Sequence, residues 1–123
     1  MLGSPEGLRV RQLIEPADIV ASPHLCSVET ASVLRSLVRG GQVEAGRAAG
    51  LLADVANLPV VRYAHEPLLP RVWQLRENLT AYDATYVALA EAVGATLVTC
   101  DARLGRAPLT GVTIEVIARP SEN

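Results

Sequence analysis

The sequence predicts an α/β fold built on a parallel sheet, and three observations carry that prediction. Short apolar, β-branched runs alternate with longer stretches of helical periodicity along the chain. The stretch from Asn78 to Asp101, NLTAYDATYVALAEAVGATLVTCD, reads as helix, turn and strand, with a carboxylate at each end. No linker, repeat or low-complexity segment interrupts the 123 residues, so a single domain over residues 1–123 with one core is expected.

The elements follow in order. Ser4-Pro5-Glu6 opens a helix to about Leu13, with Ser4 as cap and Pro5 at the first helical position. Asp18-Ile19-Val20-Ala21 reads as a short strand. Ser22-Pro23 starts a second helix that ends at Gly40-Gly41, and an Ala-rich third runs from about Val43 to Asn57. Pro59 to Tyr63 is a strand. Glu66-Pro67 opens a fourth helix to about Asn78, carrying the only Trp, Trp73. Thr80 can cap the next helix, with Asp83 three residues on in its first turn. Tyr82, Tyr86, Leu89 and Val93 recur there at helical spacing, and Gly94 is a natural stop. Ala95 to Thr99 is short and apolar and suits a buried strand. A short turn from Arg103 to Pro108 leads to a last strand, Val112 to Ile117, and the tail from Ala118 is expected to be loose.

Composition excludes several classes. Hydrophobic residues make up 50% of the chain, yet no apolar run approaches the ~18 residues that span a bilayer. The N-terminus MLGSPEGLRV carries no signal-peptide pattern, so a soluble cytoplasmic protein is expected. The net charge is −2 and all 11 basic residues are Arg, so any RNA contact needs a local basic cluster. Cys26 and Cys100 lie far apart without CxxC spacing and are expected as free thiols. His24 and His65 read as ordinary residues, since His24-x-Cys26 is a poor zinc pattern without a second ligand pair.

Three acids remain as candidates. Asp101 follows a strand end, where parallel α/β sheets place their ligands. Asp83 can reach the same edge from its helix N-terminus. Each has a plain alternative: Asp83 favours the helix dipole, and Asp101 caps a following helix, Ala102 to Gly105. Glu29 lies on the second helix, flanked at ~100° per residue by Leu25 and Val33, with Arg35 and Arg39 on the other flank. That places it on or near the buried arc, where a carboxylate needs an Arg, hydrogen bonds or a metal. Three carboxylates meeting at a sheet end would suit a hard cation such as Mg²⁺ or Mn²⁺. Arg103 and Arg106, beside Asp101, read equally as phosphate contacts or as a solvated loop. Tyr82 and Tyr86 could stack bases, although tyrosines at helical spacing are more often core.

Asn78-Leu79-Thr80-Ala81-Tyr82-Asp83-Ala84, followed by Val98-Thr99-Cys100-Asp101-Ala102-Arg103-Leu104, resembles the PIN-domain ribonucleases, and among them the VapC-type toxins of toxin–antitoxin pairs. Glu29 matches that family's acid on the helix after a short strand. The likeness spans about Gly3 to Ile117. It implies a PIN-like parallel sheet with helices on both faces and a metal-dependent endoribonuclease cleaving RNA. Glu29, Asp83 and Asp101 would then be the catalytic, metal-holding acids for Mg²⁺ or Mn²⁺, with Thr99 beside the site. A cognate antitoxin protein and a homodimer are the partners it implies.

One departure stands out. The family begins with an apolar strand ending in Asp, the first of four acids, whereas Met1-Leu2-Gly3 aligns with the end of the family's first helix. The usual first strand is therefore expected to be lacking. In the family it lies between the strands read here at Asp18–Ala21 and Thr96–Thr99. Its loss leaves neighbouring backbone groups unpaired, at about 1–3 kcal/mol for each one truly buried, and removes a metal ligand. Neither Glu6 nor Asp18 replaces it. A start upstream of Met1 is the favoured explanation; a decayed relative, or a partner adding a strand, would also account for it. The competing function is a catalytically impaired PIN-fold module that engages antitoxin or RNA without cleavage. A phospho-accepting receiver domain needs a Lys at its site, and the chain has none.

Overall fold

The computed structural model describes residues 20–117. The helix expected from Ser4 to Leu13, Glu6 and Asp18, most of the strand expected at Asp18–Ala21, and the tail from Ala118 lie outside the described residues. Strand β1 is Ala21–Pro23. Ser22 and Pro23 thus extend a strand where a helix start was expected, because a residue before Pro is pushed away from helical backbone. Helix α1, Leu25–Arg39, and helix α2, Ala45–Ala56, form the crossover to strand β2, Val61–Tyr63. Strands β1 and β2 pair in parallel, Ala21 opposite Val61 and Pro23 opposite Tyr63.

The expected fourth helix is broken. A 3₁₀ turn at Glu66–Leu68 leads to helix α3, Leu69–Gln74. Pro67 and Pro70 explain this, since each removes an N–H donor and is tolerated only in a first turn. Helix α4, Ala81–Val93, follows, with Gly94 left-handed at φ 67° as its stop. Strand β3, Leu97–Thr99, short helix α5, Ala102–Gly105, and strand β4, Ile114–Val116, complete the fold. Strands β3 and β4 are also parallel, with Leu97 opposite Ile114. The architecture is α/β with parallel strands, but the two pairs are separate two-stranded sheets, and no ladder joins β1 to β3 among the described residues.

The core is centred on α4. Ala84, Val87, Ala88, Leu89 and Ala90 are buried against Leu68, Val72, Leu75, Leu97 and Leu104. The stripe read from Tyr82, Tyr86, Leu89 and Val93 is therefore corrected: Tyr82 is 61% exposed and Val93 40%. Small residues on α4 let α3, β1 and β3 pack closely on more than one side of it. Thr85, the buried polar residue of this helix, donates its hydroxyl to Ala81 O at 2.7 Å and so adds no unpaired group.

Helix α1 departs from its expected orientation too. It has no buried residue, and Val33 is 60% exposed. Its apolar contacts lie on the far side, where Ala31, Leu34 and Val38 face Ala45, Ala48 and Leu52 of α2 across a shallow groove. Glu29 is half-buried on the opposite side. The first N–H of α1 is satisfied from a distance: Leu25 N donates to His65 Nε2 at 2.9 Å. His65 thus helps cap the start of α1, and its ring meets that of His24 edge-on at 6.0 Å.

Candidate functional site

Asp83 is placed by the local chemistry of the α4 start. Thr80 is the N-cap, and its Oγ1 accepts from Asp83 N at 3.1 Å. This cap fixes the first turn and leaves the Asp83 carboxylate half-exposed at the helix N-terminus, where negative charge is favoured.

Glu29 reaches α4 through Tyr86. The Tyr86 hydroxyl donates to Glu29 Oε1, joining α1 to α4 across 57 residues of sequence. Tyr86 lies three residues after Asp83, so both project from the same side of the helix. Burial, first, and then the hydrogen bonds to Glu29 and Cys26 push the Tyr86 phenol well above its usual range. The hydroxyl therefore stays protonated and remains a donor at neutral pH.

Asp101 follows β3. Its N–H donates to Thr99 Oγ1 at 3.1 Å, and its carboxylate caps α5 by accepting from Arg103 N at 2.9 Å. The Arg103 side chain returns to the same carboxylate, Nη2 to Oδ2 at 3.2 Å. The side-chain hydrogen bond from Arg103, then its backbone N–H, hold the Asp101 carboxyl below the usual carboxylate range. The Arg103 guanidinium is in turn held charged, first by that hydrogen bond and, more weakly, by the Asp83 carboxylate. Arg103 and Arg106 are both exposed.

Glu29 is thus joined to α4 through Tyr86, and Asp101 is engaged by Arg103, whose guanidinium also feels the Asp83 charge. Carboxylates with a neighbouring Thr hydroxyl are the right donor class for a hard cation. The arrangement does not gather them further, however. Among the described residues no group of three or more His, Cys, Asp or Glu side chains forms a metal site. Glu29 has one oxygen bonded to Tyr86, and both oxygens of Asp101 engage Arg103. The plain role foreseen for Asp101, capping Ala102 to Gly105, is therefore present as well. Tyr86 was read as a base-stacking or a core residue and Arg103 as a phosphate contact or part of a solvated loop; neither was foreseen as a partner of one of these acids. The i,i+3 relation of Tyr86 to Asp83 was the signal that could have found the first.

The PIN domain family profile matches residues 1–109. The chain is 41% identical over 111 residues to the VapC ribonuclease Mb0985 of Mycobacterium bovis, covering 90% of this chain and 87% of that protein. The same figures hold for Ribonuclease VapC9 of Mycobacterium tuberculosis. Ribonuclease VapC12 of Mycobacterium tuberculosis is 32% identical over 118 residues, covering 96% of this chain and 91% of the relative. The chain belongs to the PIN-domain family, in its VapC-type ribonuclease group.

Proposed function

We propose that the chain is a metal-dependent endoribonuclease toxin that cleaves RNA and is neutralised by a cognate antitoxin protein. In this reading Glu29, Asp83 and Asp101 hold one Mg²⁺ or Mn²⁺ ion, Thr99 steadies the backbone beside them, and Arg103 and Arg106 contact the RNA. The single observation that supports it is the Tyr86–Glu29 hydrogen bond, which joins the helix of Glu29 to the helix that bears Asp83. The likeness to proteins named VapC ribonucleases supports the activity and the RNA substrate. A homodimer and a cytoplasmic location belong to the same reading. Among the described residues no helix is long and apolar enough to cross a membrane.

A divalent ion, when bound, would polarise the phosphodiester and make a water more acidic. The chain's own residues do the rest. Arg103 is exposed and donates from several N–H groups, so phosphate oxygens compete with Asp101 for it. Arg106, one turn along, adds a second cation that positions backbone without reading sequence. Tyr82, exposed next to Asp83, offers a ring on which a base can stack.

The test is RNA cleavage by the 123-residue chain with Mg²⁺ or Mn²⁺ and with EDTA. Cleavage should require the metal and be lost in Asp83→Ala and Asp101→Ala. Cleavage that persists through both substitutions, or in EDTA, would refute the reading. A second reading is a PIN-fold module that binds antitoxin or RNA without cutting. The observation favouring it is that Glu29 and Asp101 are already engaged and no three-ligand group is assembled among the described residues. Tight RNA binding with no metal-dependent cleavage would select it.

A further inference from the structure

We propose that the exposed Trp73 indole, with the Arg76 guanidinium over it, is a stacking platform for a base of single-stranded RNA. The inference rests on the functional reading above and names a further place where the RNA is held. Trp73 is the only Trp of the chain, lies on α3 and is 67% exposed. The Arg76 guanidinium sits 4.5 Å from its ring centroid, and Arg76 Nη1 donates to Trp73 O at 2.9 Å. The first contact covers one face of the indole, and the second holds the guanidinium there. The opposite face is left open to solvent. Among the described residues no carboxylate pairs with Arg76: Arg71 takes Glu91, Arg103 takes Asp101, and Glu77, the next residue, forms no ion pair with it. An open π face beside an uncompensated cation matches the two halves of a nucleotide, a base that stacks and a phosphate that carries charge. The position agrees. Trp73 and Tyr82, at 67% and 61%, are the most exposed of the Trp and Tyr residues and stand on either side of the turn between α3 and α4. Leu75, buried in that turn, fixes it by accepting from Asn78 N and Leu79 N at 3.1 Å each. A protein partner fits less well. The large apolar residues exposed on α3 are Leu69 and Trp73, bordered by exposed Gln74, Arg76 and Glu77, whereas a stable interface covers roughly 800 Å² per partner.

The experiment uses the full 123-residue chain in EDTA, with a single-stranded RNA of mixed sequence and about 12 nucleotides, inside the usual site size. Because Trp73 is the only Trp, the intrinsic indole emission reports on this residue alone. RNA should quench it in a saturable titration, with the same midpoint as the anisotropy of end-labelled RNA. This is read on the unsubstituted chain and depends on no variant folding. Trp73→Leu should weaken the affinity measured by anisotropy about tenfold, with an unchanged circular dichroism spectrum, and Trp73→Tyr, which restores a ring, should recover most of it. Arg76→Gln should weaken binding and lower the slope of log affinity on log salt by about 0.7, the share of one phosphate contact. RNA that binds without quenching, and equally well in Trp73→Leu, would overturn the platform and leave the RNA-directed reading standing. No RNA binding by the unsubstituted chain would overturn both. Quenching and binding in EDTA without cleavage in Mg²⁺ would uphold the platform and remove the nuclease activity. Self-association lost in Trp73→Leu, with RNA affinity unchanged, would give this face to a second copy and overturn the proposal.

Discussion

At the scale of single residues, two of the three candidate carboxylates have a bonded neighbour, Glu29 at Tyr86 and Asp101 at Arg103. Asp101 illustrates the electrostatics. Its folded-state pKa is depressed, principally by the Arg103 side chain. A depressed carboxylate stabilises the fold above its unfolded pKa of about 4 and loses that contribution as pH falls through the lower folded value. Arg103→Ala should therefore raise the Asp101 carboxyl toward the ordinary range, read from its ¹³C chemical shift in metal-free buffer. The unfolding midpoint at neutral pH should barely move, because Arg103 is 83% exposed and solvent screens the pair. A large stability loss, or an unmoved Asp101 titration, would show that this pair is not what holds the carboxylate. Asp83 and Glu29 were nameable from sequence because their residue types and offsets are local properties. Tyr86 was read mainly as core, where its ring does pack, and its bond to Glu29 across 57 residues could be suspected only from its i,i+3 offset from Asp83.

The elements were legible where local chemistry decides them. Thr80 caps α4 and Gly94 ends it as their sequence context implied, since an N-cap hydroxyl and a left-handed glycine act within one turn. The broken helix after Glu66 shows where helical periodicity was outweighed by Pro67 and Pro70. Which side of α1 packs inward was not legible either, because α2 takes one side and Tyr86 the other. Two substitutions test the element contacts. A Cβ at Gly105 would lie 2.6 Å from Val116 Cγ2, so Gly105→Ala should force α5 off β4 and cost about 1–3 kcal/mol. Denaturant unfolding reads this, and an unchanged midpoint would mean that the two elements slide apart freely. His65→Ala removes the acceptor for the first N–H of α1 and should cost about 1 kcal/mol, the usual scale for a lost cap. The loss should be matched by faster amide exchange at Leu25, and protection equal to the unsubstituted chain would contradict the capping role.

For the molecule as a whole, the parallel α/β class was readable from the alternation of strands and helices, and it places β3 and the α4 N-terminus at a common edge. The arrangement of strands was not readable from alternation. The described residues form two parallel pairs, with α4 packed on both β1 and β3 in place of a ladder between them. Helix α4 thus carries Asp83, presents Tyr86 to Glu29 and packs on both pairs. Arg71 and Glu91 tie α3 to α4 by two hydrogen bonds, at 2.8 and 3.0 Å, and so stiffen the same helix. The central claim is that Glu29, Asp83 and Asp101 serve one divalent ion. Paramagnetic broadening of the amide NMR spectrum by substoichiometric Mn²⁺ tests it most directly. The account predicts broadening centred on residues 29, 83 and 101 together and relieved by EDTA. Broadening that spares any of the three, or that centres on another part of the chain, would contradict it.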